Sequence, residues 1–599
     1  MQVIIKEKTT QKVSVLPLTE NEPHFETIDE IIHVFKDDGM YDVILEVSDT
    51  QNNKGTPFLS INDVKVGRFE ATGTDSSQYS FIQYGKNSIP IFYLYIDVVR
   101  LKIEFDVSET ELFSPHFLIE TKDQNMNNIN AMLEEMVDAD DRILNIIAKQ
   151  FEPFSESYHL RSSGLKRSHR HTSKEYIEFI HKIIIFFTNK YIDFKNNPSK
   201  QIISNLNITR YDRVQKVTSA MIVNSFNRSS LVKVGNGKPT RYCPEYLQCK
   251  MPSETYDVYE NQAIMSFFSH IIQRMNAIIN ELTKSNQYGP HFNKNVAPGY
   301  SVPALLIRNN IVRYNQKNIS EFLDVKKKVL RLQSLYRELF NCSEIAFSIS
   351  LLRRSKAFSS VSHYYQAYEL MYTWLSFTDI DLSLHSILQK IKRVDDLFEY
   401  YCLIYLLQAL FDLGYEYNEQ KSIDHVKKHR ALSKEFCQAY SFHDASGQVT
   451  LWYQPYVYDN INKIDSEINL CKLTMSKKYP YYHPDFILIH NREGERRINI
   501  LDSKYSSMNT CKIQYLHDSI IKYGVNMIDV SHVEKKMKNV WLISGRPSID
   551  IHDFEYYNSL AAAQMRQNEE LPSYGITPLY PSLSDKQQRM QNFIQKLSR

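Results

Sequence analysis

Over the first 125 residues apolar and polar positions alternate with a period of about two. QVIIKEK, YDVILEVSD, FLSIND and IPIFYLYIDVVRLKIEFDV are β-branched and aromatic runs separated by polar clusters such as DTQNNKGT and ATGTDSSQ. That pattern predicts short strands joined by turns, in a sandwich or small barrel, with a short helix around 27–36 interrupting it. From 126 the period becomes helical. NINAMLEEMVDADDRILNIIAKQF, SKEYIEFIHKIIIFFTNKYIDF, residues 256–283, a long segment near 319–340 and residues 361–376 each carry an apolar face at helical spacing. After FTDIDLS the pattern changes again, to a helix followed by several strands. The expected organisation is multidomain α+β: a β-rich domain over 1–125, a mainly helical region over 126–380 and an α/β domain over 381–599. No repeat of solenoid type is visible.

Composition adds limits. A chain of 599 residues is too long for one core. Sixteen Gly and twenty Pro are few for that length, which argues against long low-complexity stretches. The formal net charge of +2 neither points to nor excludes nucleic acid, because a balanced total can hide a local basic surface. The seven Cys are irregularly spaced, and Cys243 with Cys249 lacks a second pair to complete a zinc site, so reduced structural thiols are expected. The opening MQVIIKEKTTQKVSV lacks the uninterrupted apolar stretch of a signal peptide, and FIHKIIIFF is too short for a membrane span. A soluble, cytoplasmic protein without membrane contact follows as the expectation.

Three basic stretches have two readings each. Residues 159–174, HLRSSGLKRSHRHTSK, carry Arg161, Lys166, Arg167, Arg170 and Lys174; the helix near 319–340 carries Lys326, Lys327, Lys328, Arg331 and Arg337. Arg353, Arg354 and Lys356 form a compact third cluster. Each reads as a solvated face or loop, or as a contact to nucleic-acid phosphates.

The candidate chemistry lies after 385. The apolar run VDDLFEYYCLIYLLQALFDL predicts a helix over about 394–413 that stops at Gly414, with Glu399 in its first half. Asp395 and Asp396 suit the dipole of its first turn. The strand VTLWYQPYV (449–457) follows, then HPDFILIH (483–490) with Asp485 after Pro484, the turn NREGERR, and INILDSKYS (498–506) with Asp502, Ser503 and Lys504. A helix over 510–523 and the strand VWLIS complete the series. Acids on neighbouring strands can meet at one point, and period two puts Asp502 and Lys504 on one face. A divalent ion between Asp485 and Asp502, with Glu399 holding water or a second ion and the Ser503 carbonyl within reach, would suit phosphodiester cleavage; Lys504 would sit beside the attacking water. An acid-x-Lys triplet alone means little, since composition gives about half a dozen. The rivals Asp63–Lys65 and Glu120–Lys122 lack the preceding acidic helix and the Pro-Asp strand. The alternative for the set itself is a surface ion pair plus a turn Asp. His425 and His429, spaced i, i+4, are expected to be exposed helical residues in a polar segment rather than zinc ligands. His483 is placed at the rim of the site or in strand-edge packing.

This order of elements resembles the PD-(D/E)XK phosphodiesterase superfamily, with its restriction-endonuclease-like fold. More narrowly it is similar to the McrC-like nuclease subunits of modification-dependent restriction systems. The likeness rests on DDLFEYYCLIYLL with LGYEY, PDFILI…INILDSKYS, KYG at 522–524, and upstream on TYDVYENQAIMSFF and SPHFLIETKDQNMNNINAMLEEM. The resemblance implies a Mg²⁺-dependent DNA endonuclease, with Mn²⁺ as substitute. It also implies Asp485 and Asp502 as metal ligands, Lys504 as the catalytic lysine and Glu399 as the helix acid. The implied partner is an AAA+ GTPase or ATPase in a restriction or antiviral defence complex. No G-x-x-x-x-G-K-[ST] occurs, so the motor would be another chain. Relatives often place Gln or Tyr on the helix after the lysine strand; Gln514, Lys522 and Tyr523 are the candidates, and Lys522 is a candidate DNA contact. A scaffold that only activates a motor, a nuclease acting on RNA, and self-association into a homo-oligomer are left open.

Overall fold

The alternating amino-terminal segment folds as one eight-stranded antiparallel sheet. The computed structural model describes residues 1–23, 31, 33–47, 55–72, 78–83, 90–96, 98–107, 110–151, 171–226, 230–234, 241–287, 299–348, 352–376, 380–381, 387–388, 391–433, 437–445, 447–460, 467–473, 481–492, 495–530, 539–549, 551–556 and 573–598. Its first sheet runs, in spatial order, Val13–Pro17, Gln2–Glu7, Tyr41–Glu46, Gln78–Gln83, Val64–Ala71, Pro57–Ile61, Leu101–Phe105, Glu111–Phe113. Alternation puts Val3, Ile5, Val43, Leu45, Leu59, Ile61, Leu101 and Ile103 in one core with Phe35, Phe92 and Phe117. The two ends of that order meet where Thr19 and Phe113 exchange backbone hydrogen bonds at 3.0 and 2.8 Å, so the sheet curls toward the barrel form that the alternation predicts. The helix expected around 27–36 falls partly outside the described residues, and Val34–Lys36 is a strand.

The chain divides into two compact units: residues 1–161, 285–315 and 382–599 form the first, and 162–284 with 316–381 the second. One junction between the units falls at 381/382, beside the second of the two expected boundaries, near 380. The segments 1–125 and 381–599, expected as separate domains, lie in the same unit. The second unit holds the helices Ser173–Asn189 and Ser362–Ser376 around an aromatic core in which Phe187 meets Phe268 at 4.9 Å and Phe194 meets Tyr364 at 4.9 Å. It also contains strands that helical periodicity did not predict, the ribbon Gln201–Arg210 with Tyr246–Thr255.

The second large sheet carries the candidate site. Its order is Glu416–Tyr417, Gln438–Asp444, Gly447–Tyr453, Phe486–Arg492, Glu495–Ser507, Asn539–Arg546, Ser573–Pro578, Phe554–Glu555. Glu495–Ser507 pairs antiparallel with one neighbour and parallel with Asn539–Arg546, so it is central and needs apolar residues on both faces. Leu501 and Tyr505 join the core under the helix Val394–Asp412; Ile498 and Ile500 face the opposite core, which includes Tyr523 and Val426.

The helix Val394–Asp412 is buried over most of its circumference and ends before Gly414, whose φ of +86° is the left-handed conformation glycine adopts without a Cβ penalty. Its close seating on the sheet is visible at Gly545, where a Cβ would lie 2.8 Å from the Phe398 ring. A polar clasp joins three helices. Glu135 of Asp123–Val137 accepts from the Tyr401 and Tyr405 hydroxyls at 2.6 and 2.8 Å and from Lys586 Nζ at 2.7 Å. Glu135→Ala takes the acceptor from both tyrosine hydroxyls and leaves Lys586 Nζ with the Pro581 carbonyl at 2.6 Å, so unfolding free energy should fall by about 1–3 kcal/mol. Denaturant titration checks this; a loss below about 0.5 kcal/mol would show the clasp to be ornamental.

Candidate functional site

The site forms where the paired strands open. Tyr453 is opposite Phe486, and Phe486 is opposite Leu501. One residue further on, Asp485 and Asp502 stand at the mouth of this pair. The neighbouring strand stops because Gln454 takes a φ of +52°, uncommon for a residue with a side chain and a conformation that often marks functional strain. That turn lets Gln454 serve two acids. Its backbone N–H donates to the Asp485 carbonyl at 2.8 Å, and its side-chain amide donates to Glu399 Oε2 at 2.7 Å. Tyr453 donates to the same Glu399 oxygen at 3.1 Å.

Period two brings Asp502 and Lys504 together: Lys504 Nζ lies 2.7 Å from Asp502 Oδ2, with Asp502 buried and Lys504 half-buried. Ser503 acts through its amide and its hydroxyl, which both donate to Asp485 Oδ2 at 2.6 Å. Burial, then the neighbouring Asp502 charge, pushes the Asp485 carboxyl up to about 7, against the pull of Lys504 and the Ser503 donors. Burial and the Asp485 and Asp396 charges also hold Glu399 well above the usual carboxylate range, although Gln454 and Tyr453 oppose them. For Lys504, burial disfavours the ammonium, but Asp502, Asp485 and Glu399 together outweigh it and raise its pKa.

The helical segment Met508–Val525 packs across the other face with wider π turns at Cys511–Tyr515 and Ile520–Val525. Such turns are rare and often found at functional sites. The second one brings Lys522 within the electrostatic reach of Asp502, Lys504 and Asp485; burial lowers its pKa, and its Nζ donates to the Tyr523 hydroxyl at 2.8 Å. Gln514 is exposed. His483 bonds the Gln454 carbonyl through Nε2 at 3.0 Å; burial pushes its pKa down to about 4, so the ring is neutral near pH 7.

The structure therefore brings Glu399, Asp485, Asp502, Ser503, Lys504 and Lys522 together. Arg353, Arg354 and Lys356 are exposed residues of the second unit, with Arg354 over the Tyr365 and Tyr368 rings at 5.3 and 6.0 Å. The rival triplets have other roles. Asp63 has a φ of +67° in a turn and pairs with Arg100, while Lys122 pairs with Asp38 at 2.7 Å. Asp396 accepts from the Arg393 amide at 3.0 Å, at the start of the helix. Of the basic loop 159–174, residues 159–170 lie outside the described residues.

His425 and His429 are buried, where exposure was expected. The helix Glu419–Ser433 lays Ser422, His425, Val426 and His429 on the sheet; His425 stacks on Trp452 at 5.7 Å and bonds the Ser441 hydroxyl at 3.2 Å, and His429 Nε2 accepts from the Tyr456 amide at 3.2 Å. Gln454 was missed altogether. Its one sequence signal is its place between an aromatic strand and Pro455.

Two carboxylates with hard oxygen donors match what magnesium takes from a protein, and the raised carboxyls of Asp485 and Glu399 mark buried negative charge that a divalent cation would relieve. Among the described residues, no three His, Cys, Asp or Glu side chains converge as a ready-made cage. Asp485 is engaged by Ser503, Asp502 by Lys504 and Glu399 by Gln454.

Comparison with known proteins adds one match: residues 91–297 fit the model of a domain of unknown function, DUF2357. No curated protein and no solved structure matches the chain. The matched stretch ends before Glu399, so the acid and lysine set lies beyond it. No helix among the described residues is long and apolar enough to cross a membrane.

Proposed function

We propose that the carboxy-terminal sheet and its helices form a restriction-endonuclease-like nuclease of the PD-(D/E)XK kind, cleaving DNA phosphodiester bonds with magnesium, or with manganese in its place. One observation carries the reading: Asp485 and Asp502 meet at the mouth of two antiparallel strands, with Lys504 Nζ 2.7 Å from Asp502. Asp485 and Asp502 would hold the cation, and Glu399 would hold water or a second ion. When bound, the cation supplies charge neutralisation at the phosphate and a more acidic water.

The chain's own residues divide the remaining work. Lys504, with its raised pKa, stays protonated and so acts as a donor that stabilises charge building on the phosphate, rather than as a base. Ser503 fixes the orientation of Asp485, and Gln454 does so for Glu399. Glu399, whose carboxyl is pushed upward by burial and by the Asp485 and Asp396 charges, holds a proton more readily than an ordinary carboxylate and could return it to a leaving group. Resemblance to McrC-like subunits supports a restriction or antiviral defence setting with a separate AAA+ NTPase.

The test is plasmid cleavage by the full chain with Mg²⁺ or Mn²⁺, with and without an NTPase encoded beside it, and with Lys504→Ala in parallel. Metal-dependent cutting that Lys504→Ala reduces by about 100-fold or more is expected. Equal cutting by both proteins would sink the assignment of Lys504, and no cutting under any condition would sink the nuclease.

A further inference from the structure

Beside the acids lies a group of rings that hydrolysis itself does not require. Val457–Tyr458 pairs with Tyr481–Tyr482 as a small antiparallel ribbon outside the main sheet, with Tyr458 opposite Tyr481. Tyr456 stands edge-on to Tyr481 with ring centroids 4.8 Å apart, Tyr458 lies 5.8 Å from Tyr481, and Tyr456 meets His483 at 4.3 Å. Tyr481 is 38% exposed, at the open end of this series. The opposite end is tied to the site: His483 bonds the Gln454 carbonyl, and the Gln454 amide bonds the Asp485 carbonyl.

We infer that this tyrosine series is a stacking platform for unpaired bases, so that the substrate is a single-stranded segment of nucleic acid threaded beside the acids. The inference rests on the nuclease reading for its placement, and three observations support it. An aromatic ring exposed at the end of a packed series offers a π face, and every base can stack on one whatever its sequence. A cation stands at the site end of the series: the partly exposed Lys522 lies within electrostatic reach of His483 as well as of Asp485 and Asp502, which suits a polyanionic strand rather than an apolar peptide. Tyr481 is four residues from Asp485, a reach of about 14 Å at most along extended chain, or the span of a few nucleotides. Bases in an intact duplex keep their faces stacked on one another and cannot use such a surface.

The experiment is a fluorescence anisotropy titration of the full chain in EDTA. It uses a labelled oligothymidylate and a blunt duplex of equal length. Wild type should bind the oligothymidylate more tightly than the duplex. Tyr481→Ala should weaken oligothymidylate binding about tenfold, with duplex affinity unchanged, and Tyr481→Phe should restore it. Equal oligothymidylate affinity in Tyr481→Ala and wild type, or equal losses on both ligands, would overturn the platform. Thermal unfolding of the variant beside wild type separates lost stacking from lost folding. The two readings fail separately. Plasmid cutting with no effect of Tyr481→Ala on binding removes the platform and keeps the nuclease. Tyr481-dependent binding with no cutting of plasmid or of single-stranded circular DNA under any metal removes the nuclease and keeps the platform.

Discussion

Asp502→Asn is expected to reduce metal-dependent cleavage by roughly 10³-fold or more, while Asp63→Asn leaves it unchanged. Both replacements keep the side-chain shape and remove one negative charge from an acid-x-Lys triplet. Only Asp502 faces another carboxylate across a strand pair and holds a lysine at 2.7 Å within a closed, half-buried setting. Asp63 lies in a turn, paired with Arg100 and largely open to solvent. Folding should survive Asp502→Asn, because Asp485 and Glu399 still surround the Lys504 ammonium with negative charge. Nicking of supercoiled plasmid over time, beside thermal unfolding of each protein, measures the contrast. Residual cutting by Asp502→Asn within tenfold of wild type would remove Asp502 from the chemistry.

The elements that hold this site were legible because their patterns leave few alternatives. An apolar run ending in Leu-Gly can hardly be other than a buried helix, and Val394–Asp412 matches the expected 394–413 closely. Alternation around Asp502 and Lys504 fixed their common face before any pairing was known. What could not be read depends on the partner surface. The helix Glu419–Ser433 is so polar overall that the narrow stripe of His425, Val426 and His429 looked solvated, yet Trp452 and Ser441 await it on the sheet. The left-handed Gln454 is invisible to periodicity, because a single reversed φ changes no pattern. The shared unit of residues 1–161 and 382–599 was equally hidden, since period reports which face of an element is apolar and not which distant segment covers it. Lys522 was a candidate only by resemblance; the wide turn that presents it shifts the helical register that spacing would assume.

Asp485→Asn is expected to abolish cleavage and yet to stabilise the metal-free protein above neutral pH. Folding lifts the Asp485 carboxyl from 3.8 to about 7, so between those values the native state keeps a proton that the unfolded state has lost. Stability therefore declines as pH rises through that window, by an amount on the order of a few kcal/mol, reduced by the site's partial exposure to water. Glu399, also raised, adds a penalty of the same sign. The asparagine removes Asp485's share of the penalty and still offers an oxygen to the Ser503 amide and hydroxyl, so both donors keep their acceptor. Magnesium should act in the opposite sense on wild type, stabilising it most where the acids are ionised, by about 2.7 kcal/mol at a hundredfold excess over Kd. Calorimetry at about pH 5.5 and about pH 8, with and without magnesium, reads all of these effects, since this window brackets the shifted carboxyl. Wild type should melt lower at the higher pH without metal and recover with it, while Asp485→Asn should melt a few degrees higher than wild type at about pH 8 and respond weakly to the ion. An Asp485→Asn protein that melts below wild type at the higher pH, or that gains as much from magnesium, would mean that the buried charge is already neutralised within the fold. The acids would then be architecture, and the strand mouth would have no need of a metal.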